Sequence, residues 1–199
     1  MKQFLAAAVV AALFAGTAGA QTKKENPVVV LETTKGNIEV ELYANKAPKT
    51  VENFLYYVDN KFYDGLIFHR VIDNFMIQAG GFTPDMVQKQ GKPPIPNEAD
   101  NGLMNDKYTI AMARTSVVNS ATSQFFINTK DNAFLNHKDN TPQGFGYAVF
   151  GKVVKGMDVV DAIGKVPTGT KNGFNDVPTE TVSIVKAYRK DAAPAADKK

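Results

Sequence analysis

From Val28 onward the chain is divided into short apolar stretches of strand length. Val28-Val29-Val30-Leu31-Glu32-Thr33 is one. Ile38-Glu39-Val40-Glu41-Leu42 is another, apolar at every second position, which is the period of a strand buried on one face. Between them Thr34-Lys35-Gly36-Asn37 supplies turn residues, with Gly where a positive φ is needed, so the pair reads as a hairpin. At 48–60 the period changes. Val51, Phe54, Leu55 and Val58 fall at i, i+3, i+4 and i+7, and Pro48 suits a first helical turn. A second, shorter helix is predicted from Met157, Val160, Asp161 and Ile163, stopped by Gly164. Further strands are predicted at 66–72, 75–78, 108–113, 124–129, 147–153 and 181–188. Eight short strands joined mostly by Gly- and Asn-containing loops favour a mainly β fold, a closed barrel or a sandwich, over a βαβ arrangement. Closure would remove the sheet edges, and the two helices would cover the open ends. The segment 83–107 has little periodicity and holds Pro84, Pro93, Pro94 and Pro96; so long a loop usually borders a site.

The two ends of the chain follow other rules. Lys2 precedes an uninterrupted apolar run of thirteen residues from Phe4 to Gly16, and Ala18-Gly19-Ala20 gives a small-x-small cleavage pattern. Residues 1–20 therefore read as a signal peptide cut between Ala20 and Gln21, the run being shorter than the ~20 apolar residues that span a bilayer. With no Cys after the cut, a lipid-anchored product is excluded. Residues 21–26 read as a polar lead-in and 191–199, small and charged with a Pro, as a disordered tail. That leaves 27–190 as one domain with one core.

Composition narrows the chemistry. The 199-residue chain has no Cys and two His, which excludes disulfides, Cys-based metal centres, thiol nucleophiles and three-His sites. A formal charge of +3, evenly spread, does not suggest a nucleic-acid partner. No Gly-x-Ser-x-Gly, phosphate-binding loop or His-Glu-x-x-His is present. Glu98 and Asp100, the close carboxylate pair near the irregular segment, read as a solvated loop or a cap rather than a glycosidase pair. His137, in a polar run, reads as an exposed loop residue. By alternation His69 faces opposite to Phe68 and Arg70 and reads as a structural histidine. The notable grouping is Arg70, Phe75, Met76 and Gln78 around an Asp73-Asn74 turn, echoed by the amide and aromatics of Ser123-Gln124-Phe125-Phe126-Ile127. On composition alone a strand Phe or Met is more often core than pocket, so the function stays open at this point.

Three stretches resolve it by resemblance. FHRVIDNFMIQAGG (68–81), IAMARTSVVNSATSQFFIN (110–128) and FGYAVFGKVVKGMDVVDAI (145–163) closely resemble the cyclophilin family of peptidyl-prolyl cis/trans isomerases, in order and spacing, over about 28–188. The resemblance implies a closed eight-stranded antiparallel barrel capped by two α-helices. It implies Arg70 as the catalytic arginine, with Phe75, Met76, Phe126 and Leu135 lining a pocket for the substrate proline. Gln78 would hydrogen-bond the substrate backbone and help position Arg70, Gln124 would line the same groove, and the backbone at Ala113 and Arg114 would meet the peptide. Phe134 stands where many eukaryotic members carry Trp, which implies weak binding of cyclosporin. Tyr147 replaces a pocket-lining His, Arg114 replaces the Asn of animal members, and 136–145 carries an insertion at Thr141-Pro142-Gln143.

With the leader, the chain looks like the exported, periplasmic bacterial branch. The implied partners are proline-containing unfolded or partly folded polypeptides during folding of exported proteins. No cofactor, metal, nucleic acid or stable membrane association after cleavage is implied, and the small size favours a monomer. Two alternatives remain on the residues. One is a peptide-binding chaperone module with incidental isomerase activity. The other is a ligand-carrying β-barrel, which needs a hollow interior that the large strand residues oppose.

Overall fold

The predicted first hairpin forms as read. In the computed structural model, which describes residues 26–190, β1 (Val28–Thr33) pairs antiparallel with β2 (Gly36–Leu42). Gly36, at φ 128, closes the turn opposite Thr33, whose hydroxyl donates to the Gly36 carbonyl at 2.6 Å. The leader, its cut between Ala20 and Gln21, the lead-in before Asn26 and the 191–199 tail lie outside the described residues.

The next strands are β3 (Arg70–Ile72), β4 (Met76–Ala79), β5 (Thr109–Met112), β6 (Phe125–Asn128) and β7 (Val149–Lys155). Beyond them come β8 (Thr168–Lys171), β9 (Phe174–Pro178) and β10 (Ile184–Arg189). Eight of these make one antiparallel sheet in the order β10-β1-β2-β7-β5-β6-β4-β3. The sheet curls but does not close, so the expected closed barrel is corrected. No ladder joins β3 to β10. The seam is crossed ahead of β3, by an isolated bridge Ile67–Ser183 and bonds from Gly65 N to Ile184 O (2.8 Å), Ile184 N to Leu66 O (2.8 Å) and Phe68 N to Val182 O (2.9 Å). The three residues of β3 pair with β4 alone, so the contact with the β10 side stays an isolated bridge and does not continue as a ladder.

The concave side is full. Leu31, Ile38, Phe54, Tyr63, Ile77, Ile110, Phe125 and Phe150 are all wholly buried there. Phe54 of helix α1 (Pro48–Asp59) is the plug, with its ring 5.1–5.4 Å from those of Phe150, Tyr63 and Phe125. A carrier with a hollow interior is thereby excluded. Helix α2 (Met157–Gly164) buries Val160 and Ile163, and Gly164 is its last residue rather than the stop beyond it.

Strands β8 and β9 are not anticipated by the periodicity, because every β8 side chain is exposed and there is no apolar alternation to read. The signal that was available is the turn, Asn172-Gly173 at φ 49 and 82, the residue pair that two-residue hairpins prefer.

The long segment 83–107 is ordered by what it caps. Ala47 precedes α1 and offers no side-chain cap. Glu98 replaces it from across the fold, accepting from Lys49 N (3.2 Å), Thr50 N (2.8 Å) and the Thr50 hydroxyl (2.7 Å). A carboxylate on the free N–H groups of a helix N-terminus satisfies donors that no helical carbonyl reaches, and it also complements the helix dipole. Of the two roles read for Glu98, the cap is the one observed. Glu98→Ala is expected to lower unfolding free energy by about 1–2 kcal/mol in urea titrations, whereas exposed Asp100→Ala changes it by less than about 0.5 kcal/mol.

Candidate active site

The strands that fill the core also present a second apolar surface outward. In β4, Ile77 and Ala79 enter the core while Met76 and Gln78 face away; in β6, Phe125 and Ile127 enter while Phe126 faces away. Ala111 of β5 and Val149 of β7 alternate in the same way. The outward set, Met76, Ala111, Phe126, Leu135 and Val149, forms a buried cluster of its own, edged by Phe75, Ala113 and Tyr147. Phe75, Met76, Ala113, Phe126, Leu135 and Tyr147 are thus brought together on the convex face. Tyr147 meets Phe126 edge-on at 5.7 Å, and Phe134, 64% exposed, stacks on Phe75 at 5.6 Å.

Arg70 reaches this surface through a break in alternation. Phe68 and Val71 both lie in the core, so His69 and Arg70, the two residues between them, both lie outside it. The expectation that Phe68 and Arg70 share a face is therefore corrected. An extra residue in a strand re-aims the side chains that follow it. Here it leaves Arg70 exposed and opposite Gln78 in the β3–β4 ladder, with Gln78 in turn opposite Phe126.

Two amides lie beside the arginine. Gln78 Nε2 donates to Gln124 Oε1 at 2.9 Å. Gln124 lies over Gly81, where an added Cβ would sit 2.6 Å from its Cγ and Cδ; only Gly leaves room for that amide. The Ala113 N–H donates to the Gln124 carbonyl at 3.0 Å. Arg114 is committed elsewhere. Its Nε, Nη1 and Nη2 donate to the carbonyls of Gly146, Thr115 and Pro142, each at 2.9 Å, and its Cζ lies 4.9 Å from the Tyr147 ring centre. The guanidinium thus clips the loop 136–145 to the rim. Within that loop Asp139 accepts from the Thr141 N–H and hydroxyl, and these bonds lower its pKa. His137 is half-buried rather than exposed, its Nδ1 2.9 Å from the Phe145 carbonyl.

Sequence reasoning missed a polar scaffold beneath the cluster, made of buried Asn105, Asn128, Asn132 and Asn136. Asn132 Nδ2 donates to Phe75 O (2.9 Å) and Asn128 Oδ1 (2.8 Å). Asn105 Nδ2 reaches Leu135 O (3.2 Å) and Tyr147 O (3.3 Å), and its N–H donates to Asn136 Oδ1 (2.7 Å). The main chains of Phe75, Leu135 and Tyr147 are therefore fixed from below. Asn is ordinarily a surface residue, and the only clue was its repetition at 128, 132 and 136. Asp176, which forms an ion pair with Arg70, was also missed.

His69 packs on Phe82 with ring centres 4.6 Å apart, and its Nδ1 has no hydrogen-bond partner. Burial lowers its pKa from 6.5 to about 4, opposed only in part by the Ile67 backbone and the Gln124 amide. It is neutral at neutral pH, as a structural role requires.

The comparisons place the chain in a family. The profile of the family described as cyclophilin type peptidyl-prolyl cis-trans isomerase/CLD matches residues 28–189. A peptidyl-prolyl cis-trans isomerase of Streptomyces antibioticus is 64% identical over 159 residues, 80% of this chain and 96% of that one. Peptidyl-prolyl cis-trans isomerase A of Dickeya dadantii is 51% identical over 186 residues, 94% and 96% of the two chains. A Cryptosporidium parvum cyclophilin-type isomerase, crystallised in the presence of the dipeptide Ala-Pro, superposes with a TM-score of 0.69. It is 26% identical, and the match covers 81% of this chain and 98% of that one. The chain belongs to the cyclophilin-type peptidyl-prolyl cis-trans isomerases. Its activity is accordingly the isomerisation of Xaa-Pro peptide bonds.

The buried His69 sets a pH dependence of stability. With a folded pKa of about 4 against 6.5 unfolded, the unfolded chain takes up the proton first as pH falls. The stabilisation is complete above 6.5 and is lost between 6.5 and 4. Urea unfolding from about pH 7.5 to about pH 4.5 is expected to show a loss attributable to this residue of about 2–3 kcal/mol, absent in His69→Gln.

Proposed function

We propose that Arg70 is the catalytic group of this isomerase and that the convex apolar cluster is its proline pocket. The observation that carries the reading is a half-exposed guanidinium and a bonded Gln78–Gln124 pair beside an apolar surface supported from below by asparagines.

The chemistry asks for little more. Rotation about an Xaa-Pro bond is opposed by ~20 kcal/mol of lost amide resonance, with no covalent bond to break. Catalysis then consists of binding the twisted amide better than either planar isomer. Phe75, Met76, Phe126, Leu135 and Tyr147 hold the proline ring, with Phe134 at the outer edge, while the other side of the bond turns. As resonance is lost the proline nitrogen gains a localised lone pair, and Arg70 donates to it. That bond exists chiefly in the transition state, where each ~1.4 kcal/mol gives a tenfold rate gain. Gln78 and Gln124 hold the peptide backbone. Since the Ala113 N–H is already bonded, the carbonyl of Ala113 and the main chain at Arg114 are what an extended peptide meets.

The substrates we infer are proline-containing unfolded or partly folded exported polypeptides, reached in the periplasm after removal of residues 1–20. This address rests on the leader's basic, apolar and small-residue pattern.

Exchange NMR on an Ala-Pro peptide tests the catalytic assignment. Arg70→Ala is expected to lower kcat/KM by about 100-fold or more while peptide affinity changes only a few-fold. Normal isomerisation by that variant overturns the mechanism, and full cellular function without catalysis supports the chaperone alternative. For the address, intact mass of the protein recovered from the cell envelope fraction is expected to begin at Gln21; a chain retaining Met1 in the cytoplasm refutes it.

A further inference from the structure

Arg70 is a long side chain on a three-residue edge strand, so a single orientation over the groove needs a partner. Gln78, its neighbour across the ladder, donates its amide nitrogen to Gln124. The charged group at Arg70 is Asp176 of β9, whose Oδ2 lies 3.5 Å from Nε. We propose that Asp176 is a positioning residue for the isomerase. It holds Arg70 by the Nε edge of the guanidinium and leaves the two Nη groups to face the groove. The inference rests on the reading of Arg70 given above.

The hairpin that carries Asp176 is built to hold it there. Val177 is buried against Ile67, Phe82 and Met86, and Phe174 meets Phe82 edge-on at 5.2 Å. Lys171 Nζ and Asn172 Nδ2 donate to the carbonyls of Pro84 and Asp85 at 2.9 and 3.2 Å. The hairpin is thereby locked to the segment that follows β4. Asp176 itself sits at φ 60, a left-handed conformation uncommon for residues other than Gly, Asn and Asp. This turn of the backbone directs its side chain to β3, although the neighbouring Val177 enters the buried cluster. A guanidinium fixed in advance loses less rotamer freedom on reaching the transition state, so the rate benefits more than the affinity. Both partners are about half exposed, at 45% and 40%, so the effect is modest in size and sensitive to salt.

Asp176→Asn is the informative variant, because Asn accepts the left-handed backbone and keeps the side-chain shape. On the Ala-Pro peptide, kcat is expected to fall about three- to tenfold, with affinity altered less than about twofold and the thermal midpoint unchanged. Asp176→Glu keeps the charge but strains the left-handed backbone, so part of the rate is expected to return with a lowered thermal midpoint. Raising ionic strength to about 1 M, where screening acts beyond ~3 Å, lowers wild-type kcat toward that of Asp176→Asn and leaves the variant unchanged. In an Arg70→Ala background the Asp176 change adds nothing. Wild-type kcat for Asp176→Asn overturns the proposal, as does a loss that ignores salt and persists without Arg70. Normal activity of Arg70→Ala alone is a separate outcome, and it removes the catalytic reading on which the proposal stands.

Discussion

Strands β4, β5, β6 and β7 have two apolar faces, and this doubling constrains the rest of the molecule. Ile77, Ile110, Phe125, Ile127 and Phe150 must fill the concave side around Phe54. Their neighbours Met76, Ala111, Phe126 and Val149 are then obliged to face outward. A slip of one residue in any ladder would exchange the two sets, so the packing that stabilises the fold also fixes the register of the site. The site is a surface because the interior is full, and it is rigid because its floor is the back of the core.

What surrounds that floor is irregular backbone, which carries its own polar groups and must satisfy them. Four asparagines do this from beneath, tying Phe75, Leu135 and Tyr147 to a common network. Arg114 does it from the side, donating to three carbonyls of the rim, and Glu98 does it at the start of α1. In each case a side chain supplies the partner that a ladder would otherwise have supplied. The asparagines and Arg114 fix the main chain around the outward apolar cluster without adding anything to its lining. The reaction suits such a design, since it needs a fixed shape and one well-placed donor rather than a nucleophile or a titrating base.

Much of the fold could be read from short-range pattern. Val28 to Leu42 gives its hairpin by alternation and a Gly turn, and Val51, Phe54, Leu55 and Val58 give α1 by their spacing. The candidate site residues came from resemblance alone, since a strand Phe such as Phe126 has the same local pattern whether it faces core or groove. Three things were not legible. Barrel closure depends on whether 66–68 and 182–184 run together long enough to form a ladder, and they do not. The β8–β9 hairpin has no apolar alternation because β8 is exposed throughout and β9 is buried only at its end. The outward turn of Arg70 comes from one extra residue between Phe68 and Val71, which a strict period of two cannot contain.

By itself the sequence determined the first hairpin, the two helices and most strands of the main sheet, that cysteine chemistry is not the basis of activity, and that Arg70, Gln78, Phe126 and their neighbours belong to one family pattern. Those properties are set by residues adjacent in the chain or by residue identity. Only the tertiary structure decided that His69 is buried and neutral, that Glu98 caps α1 across 48 positions, that four asparagines lie beneath the pocket, and that Asp176 meets Arg70. Each of these is a contact between segments far apart in sequence. Which polar side chain meets which orphaned group there is settled by packing, because local preference gives a lone Asn, Glu or Asp no reason to be anywhere but in water.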